Sequence, residues 1–91
     1  MDPIIYDNVV LGNNCIIEKG VVLGKNGNAK TIIGDNCTLR VGTVVYAGAK
    51  IGNNFQSGEY AIIRENVEIK DNCAFVLGDH DGLPKKELKR L

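Results

Sequence analysis

Tryptophan is absent from this 91-residue chain, and methionine and histidine occur once each, as Met1 and His80. Catalytic zinc typically takes three protein ligands, so a lone imidazole excludes a metal centre built from several histidines of one chain. A dominant sign of charge is missing too, since 11 Lys and Arg balance 11 Asp and Glu. That excludes a basic nucleic-acid stripe, because the one positive cluster, Lys85 to Arg90, sits at the extreme C-terminus. With 24% charged residues of both signs, a self-repelling disordered chain is excluded as well. No apolar run approaches the roughly 18 residues that span a bilayer, and Met1-Asp2-Pro3 lacks the layout of a signal peptide. Three cysteines, an odd number with no close pairing, fit core thiols in a reducing cytoplasm better than a disulfide framework. The length fits one domain.

What the chain has instead is a six-residue rhythm. Aliphatic residues recur at Ile5, Leu11, Ile17 and Leu23, then at Ile33, Leu39, Val45, Ile51, Ile63 and Ile69, with Phe75 last and Ser57 breaking the register. Four residues after each, or eight after Leu23 across the long interval, comes a second, mostly small series: Val9, Cys15, Val21, Thr31, Cys37, Thr43, Ala49, Phe55, Ala61, Val67 and Cys73. Asn or Gly stands three residues after each aliphatic, as at Asn8, Asn14, Gly20, Asn36 and Gly42, with Tyr60 the exception. A small residue and the next aliphatic are two apart, so on an extended strand both face one side. Asn and Gly tolerate a left-handed backbone, which permits a sharp turn in every hexad. Three short strands and three turns close a triangular coil, and twelve hexads stack into four coils about 4.8 Å apart. The expectation is an all-β fold, a single-stranded left-handed parallel β-helix over residues 1–80. Period six does not hold one face of an α-helix, and the alternation is too short for ordinary hairpins.

One interval departs from six. Ten steps separate Leu23 from Ile33, and the surplus falls in Gly24 to Lys30, which predicts a loop extruded from one corner with Lys25 as a binding candidate. Beyond His80 the rhythm stops, and residues 81–91 read as a turn followed by a short C-terminal helix opening at Pro84. On the outside of the prism, Val22, Val44 and Ile62 form one apolar ladder, with Gly24, Tyr46 and Arg64 in the next outward column. A continuous apolar stripe on so small a protein predicts a homotrimer packed through Val22, Val44, Tyr46 and Ile62.

The repeat from residue 5 to about residue 80 resembles the hexapeptide-repeat acyltransferase superfamily. The stretch Leu39-Arg40-Val41-Gly42-Thr43-Val44-Val45-Tyr46, continuing through Lys50-Ile51-Gly52-Asn53-Asn54-Phe55-Gln56-Ser57-Gly58 to Ile62-Ile63-Arg64-Glu65-Asn66, is similar to its sugar and sugar-nucleotide acetyltransferases. The resemblance implies active sites between neighbouring prisms of a trimer, acetyl-CoA as co-substrate, and no required metal or resident cofactor. In that branch Thr/Ser-Gly-His-Asn follows Phe-Gln, with the histidine a candidate base. This chain carries Ser57-Gly58-Glu59-Tyr60, so a carboxylate holds the histidine's position. The related γ-type carbonic anhydrases share the prism but need several histidines per site, which His80 alone does not supply.

The resemblance, set beside these residues, implies two expectations. The first is acetyl-CoA-dependent transfer to a sugar or sugar-nucleotide hydroxyl or amine, without an acyl-enzyme. Glu59, or His80 from an adjacent chain, would serve as base. Ser57, Tyr60, Arg64, Arg40 and Lys25 would bind substrate, the arginines through phosphate. The second is a non-catalytic trimeric module that binds a ligand or a partner chain. Glu59 and Tyr60 fall in the one hexad that breaks two columns at once, where sequence rules tend to fail for function or strain.

Overall fold

A computed structural model describes residues 1–75 of the chain. The rhythm becomes twelve strands of two to four residues, arranged in three four-stranded sheets. The first sheet holds β1 (Ile4–Ile5), β4 (Val22–Lys25), β7 (Val44–Tyr46) and β10 (Ile62–Ile63). The second holds β2 (Val9–Leu11), β5 (Thr31–Ile33), β8 (Lys50–Ile51) and β11 (Glu68–Ile69). The third holds β3 (Ile16–Ile17), β6 (Thr38–Leu39), β9 (Gln56–Ser57) and β12 (Ala74–Phe75). Each strand pairs in parallel with the strand one coil along. The fold is therefore an all-β parallel β-solenoid of four coils. Among the described residues there is no helix, hence none long and apolar enough to cross a membrane. The helix expected over residues 81–91, and His80, lie outside the described residues.

The columns act as the spacing requires. Register sets Ile5 against Leu23, Leu23 against Val45, and Val45 against Ile63, so one aliphatic column becomes an internal ladder. Leu23, Val45 and Ile63 are fully buried, as is Phe55, and burying each such side chain contributes about 1.5–3 kcal/mol. Corners turn through positive φ at Asn14, Asn36, Asn54, Asn66 and Asn72, and at Gly20, Gly42 and Gly48. One corner carries a side-chain ladder as well: Asp35 accepts from the Asn13 amide, Asn53 from that of Asp35, and Asp71 from that of Asn53, all at 2.7–2.8 Å. Burial falls off at the first coil, whose strands β1, β2 and β3 each lie at one end of their sheet; Ile5 is 46% exposed.

Two placements differ from the spacing argument. Gly24 does not take the outward place beside Tyr46. The register shifts between Leu23 and Lys25, so Lys25 stands opposite Tyr46 and Gly24 is buried. A Cβ on Gly24 would lie 2.6 Å from Asn8 Oδ1 and 2.7 Å from Val9 Cγ2, which is why no side chain fits there. Asn8 is the second, for it is absent from the positive-φ residues. Its amide instead faces the insertion, within 2.9–3.4 Å of the carbonyls of Gly24, Gly27 and Ala29 and the Thr31 hydroxyl. The loop begins later than predicted, after β4 has run on to Lys25.

Candidate functional site

The corner that leads from the third sheet into the first carries the anomalous hexad. In successive coils it comprises residues 18–21, 40–43 and 58–61, stacked by hydrogen bonds from Gly42 N to Lys19 O (3.1 Å) and from Tyr60 N to Val41 O (2.8 Å). Glu18 reinforces it, its Oε1 accepting from Val41 N at 3.0 Å.

Ser57 stands in the aliphatic column yet is buried, so its hydroxyl must find partners inside. Its Oγ accepts from Arg40 N at 3.0 Å and lies 2.8 Å from Thr43 Oγ1, which also donates to Gly58 O at 3.2 Å. The volume that Ser57 gives up is matched two residues earlier by Phe55, which fills the small column. A large and a small residue have exchanged columns, two positions apart. The Ser57 hydroxyl thus fixes the Arg40 backbone at the floor of a cleft lined by Arg40, Gln56, Ser57, Gly58 and Glu59. Arg40 and Glu59 are exposed at this cleft, giving it one charge of each sign.

Tyr60 turns the other way. At φ 59° it adopts the left-handed backbone of its column without being Asn or Gly, and its side chain is largely exposed. It lines a neighbouring hollow with Met1, Lys19, Gly20, Val41 and Gly42. Lys25 ends β4 of the first sheet instead, and Arg64 directly follows β10. The Arg64 guanidinium lies 4.2 Å from the centre of the Tyr46 ring, a cation–π contact, and its Nε bonds Glu65 Oε1 at 3.0 Å. Lys25 is the register partner of Tyr46 on the other side. Below this cationic–aromatic row, Val22, Val44 and Ile62 stack in register, each half-buried. Within one chain, then, Arg40, Ser57 and Glu59 come together, Tyr60 faces the next hollow, and Lys25 and Arg64 flank Tyr46.

Sequence reasoning did not single out Thr43 and Gln56 as parts of this corner. Thr43 left a signal: it is one of the polar residues in the inward columns, with Thr31 and Ser57, and buried hydroxyls pair with something. Among the described residues, no group of three or more His, Cys, Asp or Glu is placed to hold a metal ion.

With this geometry in view, the chain is similar to the bifunctional protein GlmU of Alkaliphilus oremlandii (strain OhILAs), at 33% identity over 72 residues. The match covers 78% of this chain but only 15% of that protein's length. No family model matches the sequence. No solved structure matches it either.

Proposed function

We propose that this solenoid is an acetyltransferase-like protein that works as a homotrimer, using acetyl-CoA to acetylate a hydroxyl or amine of a sugar or sugar nucleotide. The observation that carries the reading is that Arg40 and Glu59 both line one cleft, on a hexapeptide solenoid similar to part of GlmU. The apolar ladder of Val22, Val44 and Ile62, with Tyr46, would pack against a second copy and bring Lys25 and Arg64 of one chain towards the corner of the next. In this scheme Glu59 takes the proton of the acceptor as its oxygen or nitrogen attacks the thioester carbonyl. The carbon–sulfur bond then breaks, and the departing CoA thiolate takes up a proton. Exclusion of water by the neighbouring copy strengthens a carboxylate as a base, the condition the trimer would meet. Arg40 supplies a fixed positive charge for phosphate of donor or acceptor, and the chemistry suits a cytoplasmic protein.

Calorimetric titration of the full chain with acetyl-CoA tests this. Saturable heat is expected, weakened about tenfold by Arg40→Ala and preserved in Glu59→Gln, which loses acetyl transfer. Absence of heat at millimolar acetyl-CoA overturns the proposal.

A second reading, a non-catalytic module that stacks on another polypeptide, is favoured by the first coil. Its strands lie at one end of each of the three sheets, and Ile4, Ile5, Val10 and Ile16 are exposed there. Acetyl-CoA binding that survives with no transfer to any acceptor would support it.

A further inference from the structure

The small inward column brings two cysteines together that are 22 positions apart in sequence. Register places Ile16 against Thr38, with Ile16 N bonded to Cys37 O at 2.8 Å and Asn36 N to Asn13 O at 2.9 Å, so Cys15 stacks directly on Cys37. Adjacent parallel strands are about 4.8 Å apart, inside the roughly 4.4–6.8 Å Cα separation that a disulfide spans. The two thiols also converge on one acceptor: Cys15 Sγ lies 3.2 Å and Cys37 Sγ 3.5 Å from the carbonyl oxygen of Gly34. Both are free thiols. Phe55 fills the next place in the column and separates Cys37 from Cys73, which leaves Cys15 as the neighbour for Cys37.

We propose that Cys15 and Cys37 are an oxidisable pair, which hydrogen peroxide converts into an intrachain disulfide stapling the first coil to the second. Cys15 is only half-buried, whereas Cys37 is fully enclosed, so the peroxide meets Cys15 first. The Cys15 thiol gives up its proton and its sulfur attacks one peroxide oxygen; the O–O bond breaks, leaving a sulfenic acid and a hydroxide that takes up that proton as water. The Cys37 sulfur then attacks the Cys15 sulfur. The S–O bond breaks, and the hydroxyl leaves as water with the Cys37 proton. Two thiols and one peroxide become one disulfide and two waters, the two sulfurs supplying both electrons. The link falls where it matters to the fold, because the first coil is the one whose inward residues are least covered, with Ile5 46% exposed against 0% for Leu23 above it. This pairing does not rest on acyl transfer and stands or falls separately.

The test treats the full chain with hydrogen peroxide, then counts thiols after denaturation and maps the peptides. Free thiols should fall from three to one, the monomer mass should drop by two hydrogens, and one peptide should contain Cys15 joined to Cys37. Amide exchange in residues 4–17 should slow about tenfold or more on oxidation and recover with dithiothreitol. Cys15→Ser should abolish the link, while Cys73→Ser should leave it intact. Oxidation that halts at a sulfinic acid on Cys15, dimers joined between chains, or a link through Cys73 would overturn the proposal.

Discussion

The Cδ1–Cε1 side of the Tyr60 ring packs against Gly42. A Cβ built on that glycine would stand 2.3 Å from Tyr60 Cδ1 and 2.5 Å from Cε1, and Gly42 itself has φ +74°. The pair is reciprocal, since Tyr60 keeps a left-handed backbone that suits glycine and gains a glycine surface to lie on. Gly42→Ala should therefore destabilise the solenoid by about 2 kcal/mol or more, from strained φ and a displaced ring together. Urea denaturation of the two proteins measures it, and an unchanged midpoint would mean the ring does not pack there in solution.

The Ser57–Thr43 contact is a buried pair of hydroxyls. Ser57→Ala should cost about 1–2 kcal/mol, because Arg40 N–H loses its acceptor and Thr43 one of its partners. Combined with Thr43→Val, the two losses should couple by about 0.5 kcal/mol or more in a double-mutant cycle. Strict additivity would argue against the shared hydrogen bond.

Asn8 is the latch of the insertion. Its side-chain amide offers two hydrogens among four oxygen acceptors, three of them carbonyls at or within the loop. A further bond, Ala47 N to Lys25 O at 2.8 Å, ties the loop's start to the next coil. Asn8→Ala should cost about 1–2 kcal/mol and accelerate amide exchange selectively in residues 26–30. Equal acceleration around all three sheets would show instead that Asn8 supports the whole stack.

Burial pushes the Cys37 thiol above its ordinary value of 9.0. A folded thiol that resists ionisation contributes its full stabilisation below that ordinary value. Above about pH 9 the unfolded chain ionises first, and the contribution is lost as pH climbs towards the raised folded value. The stability advantage of the native chain over Cys37→Ala should accordingly shrink between pH 8 and pH 10. A constant difference would contradict the assignment.

How far the sequence could be read follows from what each residue is asked to do. Leu23, Val45 and Ile63 declare their column because burial in a stacked coil demands an aliphatic every sixth place. Asn14, Asn36 and Asn54 declare the corners because few other residues adopt positive φ at low cost. Counting failed at Gly24, because the insertion moves a residue inward and only the neighbouring Asn8 and Val9 side chains fix which one. It also missed Cys15 against Cys37, which becomes visible once the coil is closed around the ten-step interval. Ser57 and Tyr60 were legible as exceptions, but their reasons lie in Thr43 and Gly42, 14 and 18 residues away in sequence. For the candidate site, acyl-transfer chemistry was suggested by the family resemblance rather than by the side-chain types, and the division of those residues between two faces of one prism required coordinates.

That division makes assembly the decisive property, for only a neighbouring copy would bring the Tyr46–Arg64 row of one chain to the Arg40–Glu59 cleft of another. Sedimentation equilibrium of the full chain measures this directly. The proposed assembly predicts the mass of three chains, falling to one in Val44→Asp, which sets a charge in the apolar ladder. A native protein that sediments as a single chain at every concentration, with or without acetyl-CoA, would contradict it.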